Sequence, residues 1–381
     1  MKVAHLSTVH SPFDVRILRK ECKSLADAGH QVVLITPHDR DASVDGVRIR
    51  AVRKPRGRLE RRTLTAWRVY RAARSEKPDV CHFHDPELLP VGLLLRLGGY
   101  RVIYDAHENV PHDLLAKDYL PRPLRHVVAA GVAGLERLGA ALFQGVVAAT
   151  PTIGERFPAR KTVVIRNYPR LDELGGEAAE PYAERPPVAV YVGGMTAQRG
   201  TREMIEAAGR LPDSLGARLV LVGVIHPPEL QAEVEQMPGW QRVDFRGWQD
   251  RQGVAAALSE ARVGLVTLHP IPSFLDSYPV KLFEYMAAGI PVIASDFPLW
   301  RGIVEGAGCG RLVDPMRPEA IAEGIRWMLE HPDQAQAMGA RGREAVRTRY
   351  NWDNEGRNLL AFYRDRVAKR RPPEGTLQCV E

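Results

Sequence analysis

The chain has 381 residues, 45% apolar and 26% charged, which suits two globular domains and excludes collagen-like and wholly disordered polymers. Its net charge of +7 is uneven: residues 1–168 hold 28 Lys and Arg against 17 Asp and Glu, and residues 169–381 hold 25 against 29. Between Arg48 and Arg74 eleven basic residues face one acid, Glu60, so this half suits an anionic partner or is a solvated arginine-rich face.

No window approaches the roughly 18 apolar residues of a membrane span; the best, residues 127–150, is broken by Glu136, Arg137 and Gln144. Residues 1–6 lead into a strand without a signal-peptide core, so a cytoplasmic location is expected. Cys22, Cys81, Cys309 and Cys379 form no CxxC pair, which argues against a disulfide framework or a zinc knuckle.

In chain order, the pattern predicts a strand at 3–7, a helix at 17–28, strands at 31–36 and 80–83, and a helix at 88–97. Strands at 101–104, 145–149 and 162–165 complete a first α/β series. Residues 170–187, rich in Glu, Pro, Gly and Ala, read as a linker. A second series has strands at 188–192, 218–222, 243–246, 263–267 and 291–294, with helices at 202–210, 255–260 and 280–288. Helices at 319–330, 334–349 and 354–369 follow, then a polar tail. Gly306, Gly308 and Gly310 read as a turn only. The expected fold is α/β, two Rossmann-like doubly wound domains facing across a cleft. Their bounds are 1–169 and 188–352, joined by linker 170–187, with a helix at 353–369 and a tail at 370–381.

Three features can carry chemistry. Gly193-Gly194-Met195-Thr196-Ala197-Gln198-Arg199-Gly200 follows a strand and opens a helix, so its amides can approach phosphate while Arg199 supplies charge. A plain strand-to-helix turn is the other reading, since the spacing is neither that of a dinucleotide site nor that of a P-loop. The second feature runs from Phe274 through Asp276-Ser277-Tyr278-Pro279-Val280-Lys281 to Glu284 and on to Ala294, as loop, helix, turn and strand. Pro279 suits the first turn and Gly289 the end, and Lys281 and Glu284 share a face. A carboxylate there can take both ribose hydroxyls, one in the loop can hold sugar hydroxyls, and the helix start can bind phosphate; a capped helix with a surface pair is the alternative. The third feature is a pair of polar segments at strand ends, His82-Phe83-His84-Asp85 and Asp105-Ala106-His107-Glu108. His82 and His84 lie two apart and can join in a metal site only while the strand stays extended.

The combined motifs resemble the retaining nucleotide-sugar glycosyltransferases of the GT-B fold, glycosyltransferase family 4, from Met1 to about Tyr363. The resemblance implies transfer of a hexose-type sugar from a UDP- or GDP-sugar to a hydroxyl acceptor, in polysaccharide, glycolipid or glycoconjugate synthesis. It implies a catalytic His107 at the donor sugar and Asp276 in place of a motif Glu that holds the sugar. Glu284 would bind ribose, and Arg199 would stand for a diphosphate-binding Lys. Gly194 occupies the position of a second diphosphate-binding Arg, which Lys281 could replace. Ser277, Tyr278 and Pro279 would line the donor site, with the base near Trp248. The last helix would return to the first domain. After the first strand, the family's usual glycine pair is missing. Asp14 and Arg16 could meet acceptor or diphosphate there, or Asp14 could cap a helix with Arg16 on the surface. His84 and Glu108 are further acceptor-side candidates.

Asp39-Arg40-Asp41, the sole Asp-x-Asp spacing, lies far from the phosphate loop. The diphosphate is therefore expected to be met by Arg199, Lys281 and helix N-termini, with no cofactor and no metal. The expected partners are a nucleotide-sugar donor and a hydroxyl acceptor, lipid-linked in one reading, with peripheral contact to an anionic inner membrane face through Arg48–Arg74. Nucleic acid is not expected, since no recognisable binding motif accompanies the charge. An inverting transferase, a sugar epimerase, and a binding protein with a decayed site are the rival functions.

Overall fold

A computed structural model describes residues 1–115, 121–171 and 181–367. The chain forms two compact units, one of Met1–Asn167 with the chain from Asp353 onward, the other of Tyr168–Trp352.

The first unit holds an eight-stranded sheet of β1 (Lys2–Leu6), β2 (Gln31–Pro37), β3 (Ala42–Val44), β4 (Val47–Val52), β5 (Val80–Phe83), β6 (Arg101–Ala106), β7 (Gly145–Ala148) and β8 (Thr162–Val164). Its order is β3-β4-β2-β1-β5-β6-β7-β8, parallel except for the β3–β4 hairpin. The second unit holds β9 (Val188–Val192), β10 (Arg218–Val222), β11 (Val243–Gly247), β12 (Val263–Val266), β13 (Val292–Ser295) and β14 (Gly310–Val313). All pairs in its order β11-β10-β9-β12-β13-β14 are parallel. Strands such as β5 and β13 are buried along their whole length, as helices on both faces require. In the second sheet Val190, Val220, Val266 and Val292 enter one core layer. Their neighbours Ala189, Tyr191, Leu219, Leu265 and Ile293 enter the other.

Strand order reverses at β1 in one sheet and at β9 in the other. In open α/β sheets the carboxyl ends of such strands frame ligand sites. β1 runs out into Ser7–Asp14, and β9 into the Gly193–Gly200 loop.

The helix Trp352–Phe362 and its continuation Tyr363–Val367 pack on the first sheet. The Phe362 ring lies so close to Gly145 that a Cβ there would fall 2.3 Å from it. Tyr363 Oη is 2.7 Å from His82 Nδ1, and Glu355 accepts from the Arg166 amide at 3.1 Å.

Several elements differ from the sequence reading. The segment 42–52 is a hairpin, turned by Asp45 and Gly46 at φ 50 and 78. The basic stretch contains consecutive helical turns, Arg58–Glu60, Arg61–Thr65 and Ala66–Glu76. Arg122–Leu142 and Pro298–Ala307 are further helices. Gly310, read as part of a turn, starts edge strand β14, where a Cβ would meet the Val292 carbonyl oxygen at 2.1 Å. Of the expected linker, residues 172–180 lie outside the described residues, as does the tail 370–381. The remainder is no loose tether: Tyr182 is buried with its hydroxyl donating to the Arg262 carbonyl, and Arg185 donates to that of Ala261.

Candidate active site

In the second unit, β9 ends at Val192 and the chain turns sharply through Gly193, at φ +124. The Gly193 amide donates to Val222 O at 2.8 Å and the Met195 amide to Val224 O at 2.9 Å, which ties the loop to the end of β10. Gly200 ends the loop at φ +73, with the Thr267 carbonyl oxygen 2.1 Å from where a Cβ would sit, so only glycine fits. The helix Thr201–Gly209 follows, its first turn uncapped by any side chain. Arg199 is half-buried and donates from Nη1 to the Gly194 carbonyl at 3.2 Å, and Tyr191 Oη reaches that carbonyl at 3.1 Å.

Lys281 lies under this loop. It stands in the first turn of the helix Val280–Ala287, whose N-cap Pro279 offers no side-chain hydrogen bond. Its Nζ is 3.5 Å from the Tyr191 ring centroid and 3.4 Å from the Cβ position of Gly193. The residue is only half-buried, but the Nζ itself is out of solvent contact and has no hydrogen-bond partner among the described residues. Burial, and then the Arg199 charge, push its ammonium well below the ordinary lysine range, with Glu284 opposing. Glu284, one turn on, is half-buried. The preceding loop is fixed by Trp300, whose Nε1 donates to the Ser277 carbonyl at 2.8 Å. Tyr278 turns its ring to Tyr168 and Phe283, so its apolar body supports the loop. Asp276 and Trp248 are exposed. Tyr191 and Thr267 were not singled out in the sequence; only the register of β9 and the chain's turn at Gly200 carry a trace of them.

In the first unit the residues after β1 wrap around a buried carboxylate. Asp85 Oδ2 accepts from Ser7 Oγ at 3.0 Å, from the Thr8 amide, and from the Val9 amide at 3.2 Å. His10 Nε2 is 3.4 Å from Asp85 Oδ1, and its Nδ1 is 3.5 Å from Asp14. Asp14 caps the helical turns Val15–Cys22 by accepting from the Ile17 amide at 2.9 Å. Burial would raise its carboxyl, but the His10 hydrogen bond and that amide bring it to about 2.

Arg16 is not a surface residue, which corrects that reading of it. It is 6% exposed, with Nη2 on Asp105 Oδ1 at 3.0 Å, Nη1 on the Ile165 carbonyl at 3.0 Å and Nε 3.0 Å from Glu21. His84 is likewise corrected: it is buried, with Nε2 2.9 Å from His5 Nδ1 and Nδ1 3.3 Å from Asp105, so it presents no face to an acceptor. His107 is the half-buried member of this group. Its Nε2 lies 3.2 Å from Asp105 Oδ2, and its ring centroid is 5.2 Å from that of His10. Burial would raise Asp105, but the Arg16 and His107 charges hold it well below the usual carboxylate range. Glu108 beside His107 is exposed. Asp39 pairs with Lys54 at 2.7 Å and Asp41 accepts from the Ala51 amide at 2.8 Å, so each is already used locally.

A glycine loop over a lysine whose amine is buried at a helix start, in a chain of two α/β units, suits a phosphate-bearing ligand. The sequence matches the glycosyl transferase 4-like domain over residues 15–168 and the glycosyl transferases group 1 domain over 177–345. The chain belongs to this glycosyltransferase family, with the GT-B fold. Among curated relatives, a GDP-mannose-dependent alpha-(1-6)-phosphatidylinositol dimannoside mannosyltransferase of Mycobacterium tuberculosis is 28% identical over 45% of this chain and 42% of its own. An alpha-D-kanosaminyltransferase of Streptomyces kanamyceticus is 23% identical over 47% and 46%. The matched stretch thus spans under half the length of these relatives. Among solved structures, sucrose-phosphate synthase of Thermosynechococcus elongatus superposes with a TM-score of 0.78 at 21% identity, over 97% of this chain and 100% of that one. Anabaena HepE in complex with UDP-glucose gives 0.70 at 16%, over 95% and 98%. At such identities the likeness is one of fold.

Proposed function

We propose that this glycosyltransferase moves a hexose-type unit from a UDP- or GDP-sugar to a hydroxyl acceptor, with retention at the anomeric carbon and no metal ion at the diphosphate. The observation that carries the reading is Lys281 Nζ, a buried amine with no hydrogen-bond partner among the described residues, beneath the Gly193–Gly194 turn. An unpartnered cation in that position is stabilised by an incoming anion, and the uncapped amides of the helices Thr201–Gly209 and Val280–Ala287 offer the matching dipoles. Arg199 adds a second charge at the rim. Charge that builds on the leaving diphosphate is then met by fixed groups, which lowers the barrier. Glu284 is assigned to the ribose, Asp276 and His107 to the donor sugar, and Ser277, Pro279 and the region of Trp248 to the donor's surroundings. The departing phosphate oxygen takes the acceptor's proton, so no separate base is required. GDP-mannose for the similar mannosyltransferase of Mycobacterium tuberculosis and UDP-glucose in the Anabaena HepE complex support this class of substrate.

A thermal-shift screen of nucleoside diphosphates and their sugars, followed by a transfer assay, tests the reading, because a ligand of the folded state raises the melting temperature. Glu284→Ala is expected to weaken donor binding by about tenfold or more, the loss of a charge-assisted bidentate contact worth about 1.5–3 kcal/mol. EDTA is expected to leave turnover unchanged. Near-wild-type donor affinity in Glu284→Ala would remove the site assignment, and chelator-sensitive donor binding would remove the metal-free diphosphate.

Peripheral contact with an anionic membrane is part of the same proposal, with a lipid-linked acceptor. No helix among the described residues is long and apolar enough to cross a membrane. On the helical turns 58–76, however, Leu64 and Trp67 are about half exposed, and Arg71 and Arg74 share their side at helical spacing. Apolar and basic residues on one exposed face suit an interface of acidic lipid headgroups, where each cation contributes about 1 kcal/mol. The protein is expected to co-sediment with phosphatidylglycerol-containing vesicles at low salt but not with purely zwitterionic ones. Leu64→Glu with Trp67→Glu is expected to weaken that binding at least tenfold. Absence of salt-sensitive sedimentation of the wild type would end the idea.

A further inference from the structure

Beneath His107 the first unit buries four side chains that can ligate a metal: Glu21, His82, His84 and Asp105. They come from the helical turns Val15–Cys22, from β5 and the residue just past it, and from β6, so the topology alone brings them together. One ligand atom of each lies within 4.8 Å of all the others. Asp105 Oδ2 is 3.3 Å from His84 Nδ1 and 3.8 Å from His82 Nε2. A tetrahedron with bonds of 2.0–2.1 Å has edges of roughly 3.3 Å, so modest side-chain adjustment closes the set around one ion.

A second observation points the same way. His82 Nε2 and Glu21 Oε2 are buried and, among the described residues, receive no hydrogen bond. The opposite ring nitrogens are occupied, His82 Nδ1 by Tyr363 Oη at 2.7 Å and His84 Nε2 by His5 Nδ1 at 2.9 Å, the outer-shell arrangement that orients ligating imidazoles. Arg16 lies 3.0 Å from both Asp105 Oδ1 and Glu21 Oε1, while Asp105 Oδ2 is the oxygen nearest the histidines. Its guanidinium offsets one of the two carboxylates, and a dication offsets the other. With both carboxylates ionised, the cluster with its ion would carry one net positive charge.

We propose that Glu21, His82, His84 and Asp105 form a buried site for a zinc-class divalent cation. Two imidazoles with two carboxylates in a buried pocket select zinc over magnesium or calcium, which prefer oxygen ligands and retain water. The sequence reading assigned no metal because two histidines two apart are weak evidence. Glu21 and Asp105, distant in sequence, complete the set only in the fold. The site is independent of the donor reading, which concerns the diphosphate.

The test uses the full chain, expressed with zinc present and purified without a metal-affinity step. About one equivalent of zinc per chain is expected by elemental analysis, and replacement by cobalt(II) should give visible absorption bands of a tetrahedral ion. Glu21→Gln, which copies the shape of the neutral carboxyl and so preserves the metal-free fold, is expected to bind at least tenfold more weakly in zinc-buffered titrations. Wild-type protein that is isolated without zinc and takes up neither zinc nor cobalt would overturn the proposal. So would Glu21→Gln or His84→Ala with unchanged affinity, which would place any metal elsewhere.

Discussion

Lys281→Met is expected to lower kcat/KM for sugar transfer by about 10²–10³, the effect of removing one preorganised donor from a developing oxyanion. Methionine keeps the length and the apolar stem, so the change removes the charge and little packing. Little beyond the contact with the Tyr191 ring is lost from the resting fold, because Nζ has no hydrogen-bond partner there among the described residues and its burial disfavours the charged form. The variant's melting temperature should therefore equal or exceed that of the wild type, while the increase on adding a nucleoside diphosphate shrinks. The pH dependence follows from the same burial. Without ligand the lysine sits well below the ordinary range, and a bound diphosphate raises it. Between those two values binding draws in one proton, and affinity falls about tenfold per pH unit as pH rises through that window. Calorimetry in buffers of different ionisation heat reads the proton directly. Uptake that persists in Lys281→Met would assign it to another group.

The parts of this molecule that announce themselves in sequence are local. The buried runs of β5 and β13 and the glycine-bounded helix around Lys281 and Glu284 are legible because spacing alone determines them. Asp14 as a cap was one of two readings, and the Ile17 amide decides it. Other features depend on distant partners. Arg16 belongs to a run of charged residues that reads as a surface, yet Asp105, 89 positions away, and Ile165, 149 away, draw it inside. His84 sits at a strand end, which marks it for the ligand side, but His5 on neighbouring β1 and Asp105 on β6 close over it. The basic helical turns between residues 58 and 76 are obscured for the opposite reason. Their buried face is carried by small residues such as Ala66, Ala72 and Ala73 with Val69, which give little amphipathic signal beside so many arginines.

Arg16→Met should destabilise the first unit by about 3–5 kcal/mol, since breaking a buried ion pair leaves the partner charge uncompensated. Asp105 would lose its strongest counter-charge and the Ile165 carbonyl its donor. Arg16→Lys should rescue little, because one ammonium cannot reach Asp105, Glu21 and Ile165 in the fork that the guanidinium fills. The sign of the pH effect separates this account from simple loss of packing. In the wild type Asp105 is held below its unfolded value, so its contribution is present above that value and is lost as pH falls through the folded one. In Arg16→Met the same carboxyl is raised instead, so the variant loses stability as pH climbs through about 4, the ordinary aspartate value. The gap between the two proteins should therefore widen from pH 4 to 7 in urea unfolding followed by a probe in the first unit. A gap that stays constant over that range would mean that Arg16 contributes volume and hydrogen bonds but not charge.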